Sequence, residues 1–293
     1  MDEIKSVAIV GGTHGNEFSG IYLLRQWEQQ PQRIQRQSFS TSTLFANPPS
    51  YEANKRYLDS DLNRQFSLAD LDNIELANYE QSRAKAINAF LGPKGNAKTD
   101  LIIDLHNTTS NMGPSLILLQ SDDFNKKMGA YVMQNMPEAV IVYEDQCPVE
   151  EQLFLCSITQ QGVIVEIGPQ PQSVLRQDVL DQMEKMTLLI LDFIDAYNSN
   201  TLPALNNYSA YRYKETLSLP TNEQGERIGM VHQHVQDNDF VALKSGDPIF
   251  KLFSGEEIYW HGEYEAYPHF INEAAYYDNN LAMSMAEKFT VVL

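Results

Sequence analysis

Gly11-Gly12-Thr13-His14-Gly15-Asn16-Glu17 follows directly on Ser6-Val7-Ala8-Ile9-Val10. The apolar run reads as a short buried strand, and two glycines end it in a tight turn. From Glu17 onward, Phe18, Ile21, Tyr22, Leu24 and Arg25 are spaced for one apolar and one wet face, which predicts a helix. His14 and Glu17 therefore sit at a strand-to-helix junction, three positions apart, where two side chains can share a face. An imidazole and a carboxylate converging there make half of a catalytic zinc site, which needs three protein ligands and an open position. A glycine-rich turn could instead cradle a phosphate, but neither G-x-G-x-x-G nor a P-loop lysine is present. A lone His-x-x-Glu is a weak signal and gains weight only from a third ligand on another strand end.

Residues 101–106 (LIIDLH) supply that ligand. The nearly continuous apolar run is the pattern of a central strand buried on both faces. It ends in His106-Asn107-Thr108-Thr109-Ser110, so polar residues collect at the carboxyl end of the strand, where open α/β sheets place their ligands. A histidine there can also be a hydrogen-bonded core residue, but with His14 and Glu17 at a second strand end the metal reading is favoured. Asp104 points to the same face as His106 and is a candidate acceptor for its other ring nitrogen. Glu166 stands inside residues 163–169 (VIVEIGP), where a carboxylate needs a partner or a task. A structural ion pair is one answer; a general base of raised pKa, acting on water beside a metal, is the other. Residues 54–66 (NKRYLDSDLNRQF) show no period and read as a loop holding Arg56, Asn63 and Arg64. They are either solvated or an anion clamp, since a guanidinium forks onto a carboxylate as lysine cannot.

The chain has 293 residues, 43% of them apolar, which suffices for a full core, and a formal net charge of -18. That charge argues against nucleic acid and anionic membrane surfaces, and it makes an arginine in a cleft conspicuous. Cys147 and Cys156 read as reduced thiols of a cytoplasmic protein. Neither a signal peptide nor a transmembrane span is expected. Further strands are predicted at 42–46, 116–119, 140–143 and 163–167, and helices at 78–91, 123–135 and 174–197. Residues 198–203 (NSNTLP) read as a linker, followed by strands at 210–219, 229–235, 248–253 and 289–293. The expected division is an α/β hydrolase domain over 1–200 and a smaller β-rich domain over 201–293. His232 and His234 alternate on one strand with no third ligand nearby and read as surface or core histidines.

GGTHGNE, DLNR, DLHNTTSNMG, EIGPQPQ and NEAAYY, in that order over nearly the whole chain, resemble the aspartoacylase family of zinc-dependent N-acyl-amino-acid hydrolases. That family is related in fold to the zinc carboxypeptidases. The resemblance implies a mixed sheet flanked by helices, with a β-rich C-terminal domain capping the site. It implies one Zn2+ per chain on His14, Glu17 and His106, with Glu166 as general acid/base and Arg56 polarising the scissile carbonyl. Asn63 and Arg64 would hold the α-carboxylate, helped by Tyr276. The implied reaction is hydrolysis of a small N-acyl amino acid, with neither nucleic acid nor membrane as partner; a homo-oligomer is compatible with everything read so far. Members that cleave N-acetylaspartate carry an arginine where this chain has Cys156 and a lysine where it has Asn280. A branch lacking both prefers N-acetylated aromatic amino acids and S-conjugated N-acetylcysteines, and PIFKLFSGEE, FINEAAYY and EKFT resemble that branch. Two rival readings share the ligand pattern. A zinc carboxypeptidase would need access for peptides, which a capping domain hinders. A catalytically inactive binding protein would have no need of His14, Glu17, His106 and Glu166 together.

Overall fold

Strand β1 (Ser6–Gly11) lies between β2 (Ser40–Phe45) and β3 (Leu101–Asn107) and is parallel to both. The computed structural model describes residues 3–293. Three further strands, β4 (Gly113–Leu118), β5 (Val140–Tyr143) and β6 (Gln161–Gly168), complete the N-terminal part of the sheet. β6 runs parallel to β3 and antiparallel to β4, so the sheet is mixed, as expected. Alternation along the central strands sorts the core onto two faces. Val7, Ile9, Leu101, Ile103, Leu105, Val163 and Val165 face one apolar layer. Ala8, Val10, Ile102 and Ile164 face the other.

Three helices cover the first face: α1 (Phe18–Gln29), and the later α5 (Asp123–Asn135) and α6 (Gln177–Asn198). Between α1 and α5 the chain forms two single-turn helices, α2 (Pro48–Glu52) and α3 (Leu68–Asp72), and then α4 (Tyr79–Leu91). α4 starts with a capping box between Asn78 and Gln81 and covers the second face with Ala84, Ile87 and Leu91. Among the described residues, no helix is long and apolar enough to cross a membrane.

The C-terminal residues are β-rich, as expected, but they do not all stand apart. β7 (Tyr208–Ser218) pairs with β5 and so extends the main sheet. β8 (Gly229–Val231), β9 (Pro248–Leu252) and β10 (Glu257–Tyr259) make a small separate antiparallel sheet. β11 (Tyr267–His269) and β12 (Leu281–Val291) return to the main one, giving the order β11-β12-β7-β5-β4-β6-β3-β1-β2. β12 begins well before the strand expected at 289–293. Its first half (LAMSMA) contains no β-branched residue, and ladders to β7 and β11 on either side override that weak propensity. β10 and β11 have three residues each, too short to show a period.

Two devices deliver loops to the carboxyl ends of β1, β3 and β6. Gly12 has φ +71°, and a Cβ on Gly15 would stand 2.2 Å from the carbonyl carbon of Ser50, so only glycine lets the first turn press against the 50–56 segment. The Gly15 N–H then donates to the Arg56 carbonyl at 3.1 Å. The second device is Glu80, fully buried in the first turn of α4. Its carboxylate accepts from the backbone N–H groups of Leu58 (2.7 Å), Asp59 (3.0 Å) and Ser60 (3.2 Å), and from Asn47 Nδ2 (3.3 Å). A loop without hydrophobic period is thus held by one buried anion.

Glu80→Ala should lower the unfolding free energy by about 3 kcal/mol, because it strands several buried donors at once. Urea denaturation at neutral pH measures the change. A loss below about 0.5 kcal/mol, the range of a surface substitution, would mean that Glu80 does not organise the loop.

Candidate active site

His14 and Glu17 come from the turn after β1, and His106 from the end of β3. Their donor atoms all lie within 4.8 Å of one another, and all three residues are buried. His14 Nδ1 is 2.7 Å from Glu17 Oε1, His106 Nδ1 is 3.0 Å from Glu17 Oε2, and the two Nδ1 atoms are 3.2 Å apart. Glu17 is the N-cap residue of α1, yet its carboxylate caps no helical N–H. It accepts instead from the Asn107 N–H (3.2 Å) and from Arg56 Nη1 (2.9 Å). Burial raises the pKa of Glu17, but His14 and His106 outweigh it and hold the carboxyl far below its usual range. Burial likewise depresses His106, and Asp104 and Glu17 more than offset it, so the imidazole pKa lies well above normal.

This donor set fits a divalent metal. Around a tetrahedral ion with bonds of roughly 2.0–2.1 Å, donor atoms stand about 3.3 Å apart, close to the separations here. The outward ring nitrogens fit as well, because each faces a carboxylate. His14 Nε2 is 2.9 Å from Asp61 Oδ1. His106 Nε2 is 2.8 Å from Asp104 Oδ2, close but poorly aligned for a hydrogen bond. Asp104 is itself held by the Thr13 hydroxyl at 2.7 Å.

The cluster opens into a cavity of ≈ 440 Å³. The eight residues to which the resemblance gives a metal, catalytic or substrate-binding role all line it: His14, Glu17, Arg56, Asn63, Arg64, His106, Glu166 and Tyr276. Glu166 reaches it through strand register, since β6 places it directly beside His106. Its carboxylate has no hydrogen-bond or ion-pair partner among the described residues, which leaves the structural ion pair without support. Burial drives its pKa well above the usual carboxylate value, His106 opposes, and Glu17 and Glu273 add to the rise. Arg56 donates through Nε (3.2 Å) and Nη2 (3.1 Å) to Asp61 and through Nη1 to Glu17. Asn63 Oδ1 accepts from the Leu155 N–H at 2.7 Å. Among the described residues, Arg64 donates only to the Asn63 carbonyl (2.9 Å) and has no carboxylate partner; it lies over the Phe154 ring at 5.3 Å. The Tyr276 hydroxyl bonds to Ser284 at 2.8 Å, and burial raises its pKa.

Two specificity positions lie elsewhere than expected. Cys156 is fully buried in the second apolar layer and does not line the cavity; Phe154, two residues earlier, does. Asn280 ends a 3-10 turn in the left-handed conformation and spends its amide on Arg227 Nε (2.7 Å) and the Leu219 carbonyl (3.1 Å). Three residues at the site went unassigned in the sequence. Asp61 joins Arg56 to His14, although it opens the quoted DLNR stretch. Glu273, within NEAAYY, accepts from the Thr109 N–H (2.7 Å), the Thr109 hydroxyl (2.8 Å) and the Thr108 hydroxyl, tying the C-terminal residues to the loop after His106. Glu144 also lines the cavity, and nothing in its neighbourhood of sequence signals it. His232 Nε2 is 3.5 Å from Glu257 and His234 is exposed; neither joins a candidate metal cluster among the described residues.

Comparison with known proteins agrees with this architecture. The family model described as "Succinylglutamate desuccinylase/Aspartoacylase catalytic domain" matches residues 3–194, and the "AstE/AspA barrel-sandwich hybrid domain" matches residues 206–288. A "Probable aspartoacylase" of Trichodesmium erythraeum is 43% identical over 99% of both chains. The "N-acyl-aromatic-L-amino acid amidohydrolase (carboxylate-forming)" of Homo sapiens is 41% identical, covering 99% of this chain and 92% of its own. The crystal structure of murine aminoacylase 3 superposes with a TM-score of 0.93 at 41% identity, covering 99% of this chain and 97% of that one. With both parts of the chain matched and the His-Glu-His cluster in place, the protein belongs to the succinylglutamate desuccinylase/aspartoacylase family.

Proposed function

We propose that this protein is a cytoplasmic zinc-dependent amidohydrolase that cleaves small N-acyl amino acids to a carboxylate and a free amino acid. We infer further that aromatic or S-conjugated cysteine side chains are preferred over N-acetylaspartate. The observation that carries this reading is the charge inventory of the cavity. Arg56 is spent on Glu17 and Asp61, so Arg64 is the single lining cation without a carboxylate partner among the described residues. One available cation suits one carboxylate, and a second left unpaired in a buried site costs several kcal/mol. The aromatic Phe154, Phe270 and Tyr213 in the walls supply apolar surface instead. The name of the human relative, an N-acyl-aromatic-L-amino acid amidohydrolase, points the same way. Two free cysteines support the cytoplasmic assignment.

His14 Nδ1, His106 Nδ1 and the Glu17 carboxylate would hold the zinc. Bound there, zinc supplies Lewis acidity at the acyl carbonyl and lowers the pKa of water toward neutrality. Asp61 and Asp104 orient the two imidazoles from behind. Arg64 forks onto the α-carboxylate, and the amide NH2 of Asn63, whose oxygen is already occupied, assists it. Arg56 has five N–H donors, three of them engaged, which leaves two for the developing charge on the acyl oxygen. Glu166 takes one proton from the attacking water as the new C–O bond forms. It delivers that proton to the amide nitrogen as the C–N bond breaks, and a raised pKa suits both halves of the task.

Three measurements test this reading. His106→Ala should lose bound zinc and activity together; a full equivalent of zinc per chain by elemental analysis would remove His106 from the ligand set. Glu166→Gln should keep its zinc while kcat falls about 10²–10⁴-fold, and retention of more than about a tenth of kcat would exclude Glu166 as the base. A panel of N-acetyl amino acids assayed for released amine should give a higher kcat/KM for N-acetyl-tyrosine than for N-acetylaspartate. The opposite order would overturn the preference and leave the metal chemistry standing.

A further inference from the structure

Glu144 lines the cavity, and no step above uses it. It follows β5 directly, and its N–H donates to the Leu118 carbonyl at 2.9 Å, so the sheet fixes its position. Its carboxylate has no hydrogen-bond or ion-pair partner among the described residues. Burial raises its pKa, and the charge of Arg64 pulls it back. Glu144 and Arg64 both act electrostatically on the Tyr276 hydroxyl, so the three share one part of the chamber. Arg64 nevertheless forms no ion pair with Glu144 and is left for a ligand.

An unpartnered carboxylate in a partly closed cavity acts on whatever enters. Like charges a few ångströms apart repel far more strongly there than in open water. A monocarboxylate substrate places its one charge on Arg64. A substrate with a second carboxylate finds no second free cation among the described lining residues and meets Glu144. The geometry points to Glu144 as a specificity-determining residue that excludes N-acyl amino acids bearing a side-chain carboxylate. This selection by repulsion is independent of the apolar walls, and it deepens the proposed function and rests on it. Glu151, which also lines the cavity, is exposed, where solvent and salt screen it.

N-acetylasparagine and N-acetylaspartate isolate the effect, since they match in shape and differ in charge. The readout is the ratio of their kcat/KM values. In the wild type it should favour the neutral compound at least about tenfold. In Glu144→Gln and in Glu144→Leu the ratio should fall at least about tenfold from its wild-type value. Glu144→Asp, which keeps the charge, should retain most of the discrimination, and Glu151→Gln should move the ratio less than about threefold. A wild-type ratio near one, or an unchanged ratio in both neutral variants, overturns the inference. Should the wild type hydrolyse neither compound nor N-acetyl-tyrosine, the amidohydrolase reading falls. Calorimetric titration of the same two compounds into the zinc-loaded wild-type and Glu144→Gln proteins then decides the filter separately, by the ratio of Kd values and the same tenfold margin.

Discussion

The carboxylate of Glu17 is the contact on which the site depends. It gathers two imidazoles, a guanidinium and a backbone N–H from three separate stretches of chain. Its position at the start of α1 favours an anion, because the helix dipole presents positive charge there. The same carboxylate that would bind a metal is therefore also the knot between the β1 turn, the end of β3 and the Arg56 loop. Burying an anion is costly alone, and here each group within hydrogen-bond distance of it is an imidazole, a guanidinium or a backbone N–H.

Glu80, behind the loop, and Glu273, in the cavity wall, repeat the device. Glu80 holds the backbone just before Asp61, and Glu273 holds the residues after His106 against the C-terminal segment that carries Tyr276. Each is a buried carboxylate filled by N–H and hydroxyl donors, so each orders a loop that no hydrophobic period could order. In a chain of net charge -18, this turns an excess of carboxylates into scaffolding. It also explains why the cavity can be built from loops and still present side chains in fixed places.

The cavity keeps the acidic character of the chain. Glu17, Glu144, Glu151, Glu166 and Glu273 line it against two arginines, and one of those arginines is already paired. On the proposed reading, selection in this chamber follows from Arg64, the one lining cation without a carboxylate partner among the described residues, and from the carboxylates that lack partners. Phe154 and Phe270 add apolar surface to its walls, and the proposed filter differs from them in acting by charge.

Short-range pattern was enough for much of this. The glycine turn with His14 and Glu17 three apart, the two-sided apolar runs that became β3 and β6, and the capped helix α4 are all properties of a few adjacent residues. So is the crowding of polar groups after His106. Tertiary structure alone decided the rest. Glu166 meets His106 because β3 and β6 pair in one particular register, and a slip by one residue would turn Glu166 to the other face. Asp61 reaches His14 and Arg56 through the fold of a loop that Glu80 holds, and Glu144 reaches the cavity from the end of a strand that shows only its apolar half in sequence. Cys156 and Asn280 show the converse. They occupy expected positions along the chain, yet one side chain turns into the core and the other closes a turn. Spacing along a chain constrains which side chains share a face of one element; which side chains share a cavity depends on how distant elements pair and where their buried charges find donors.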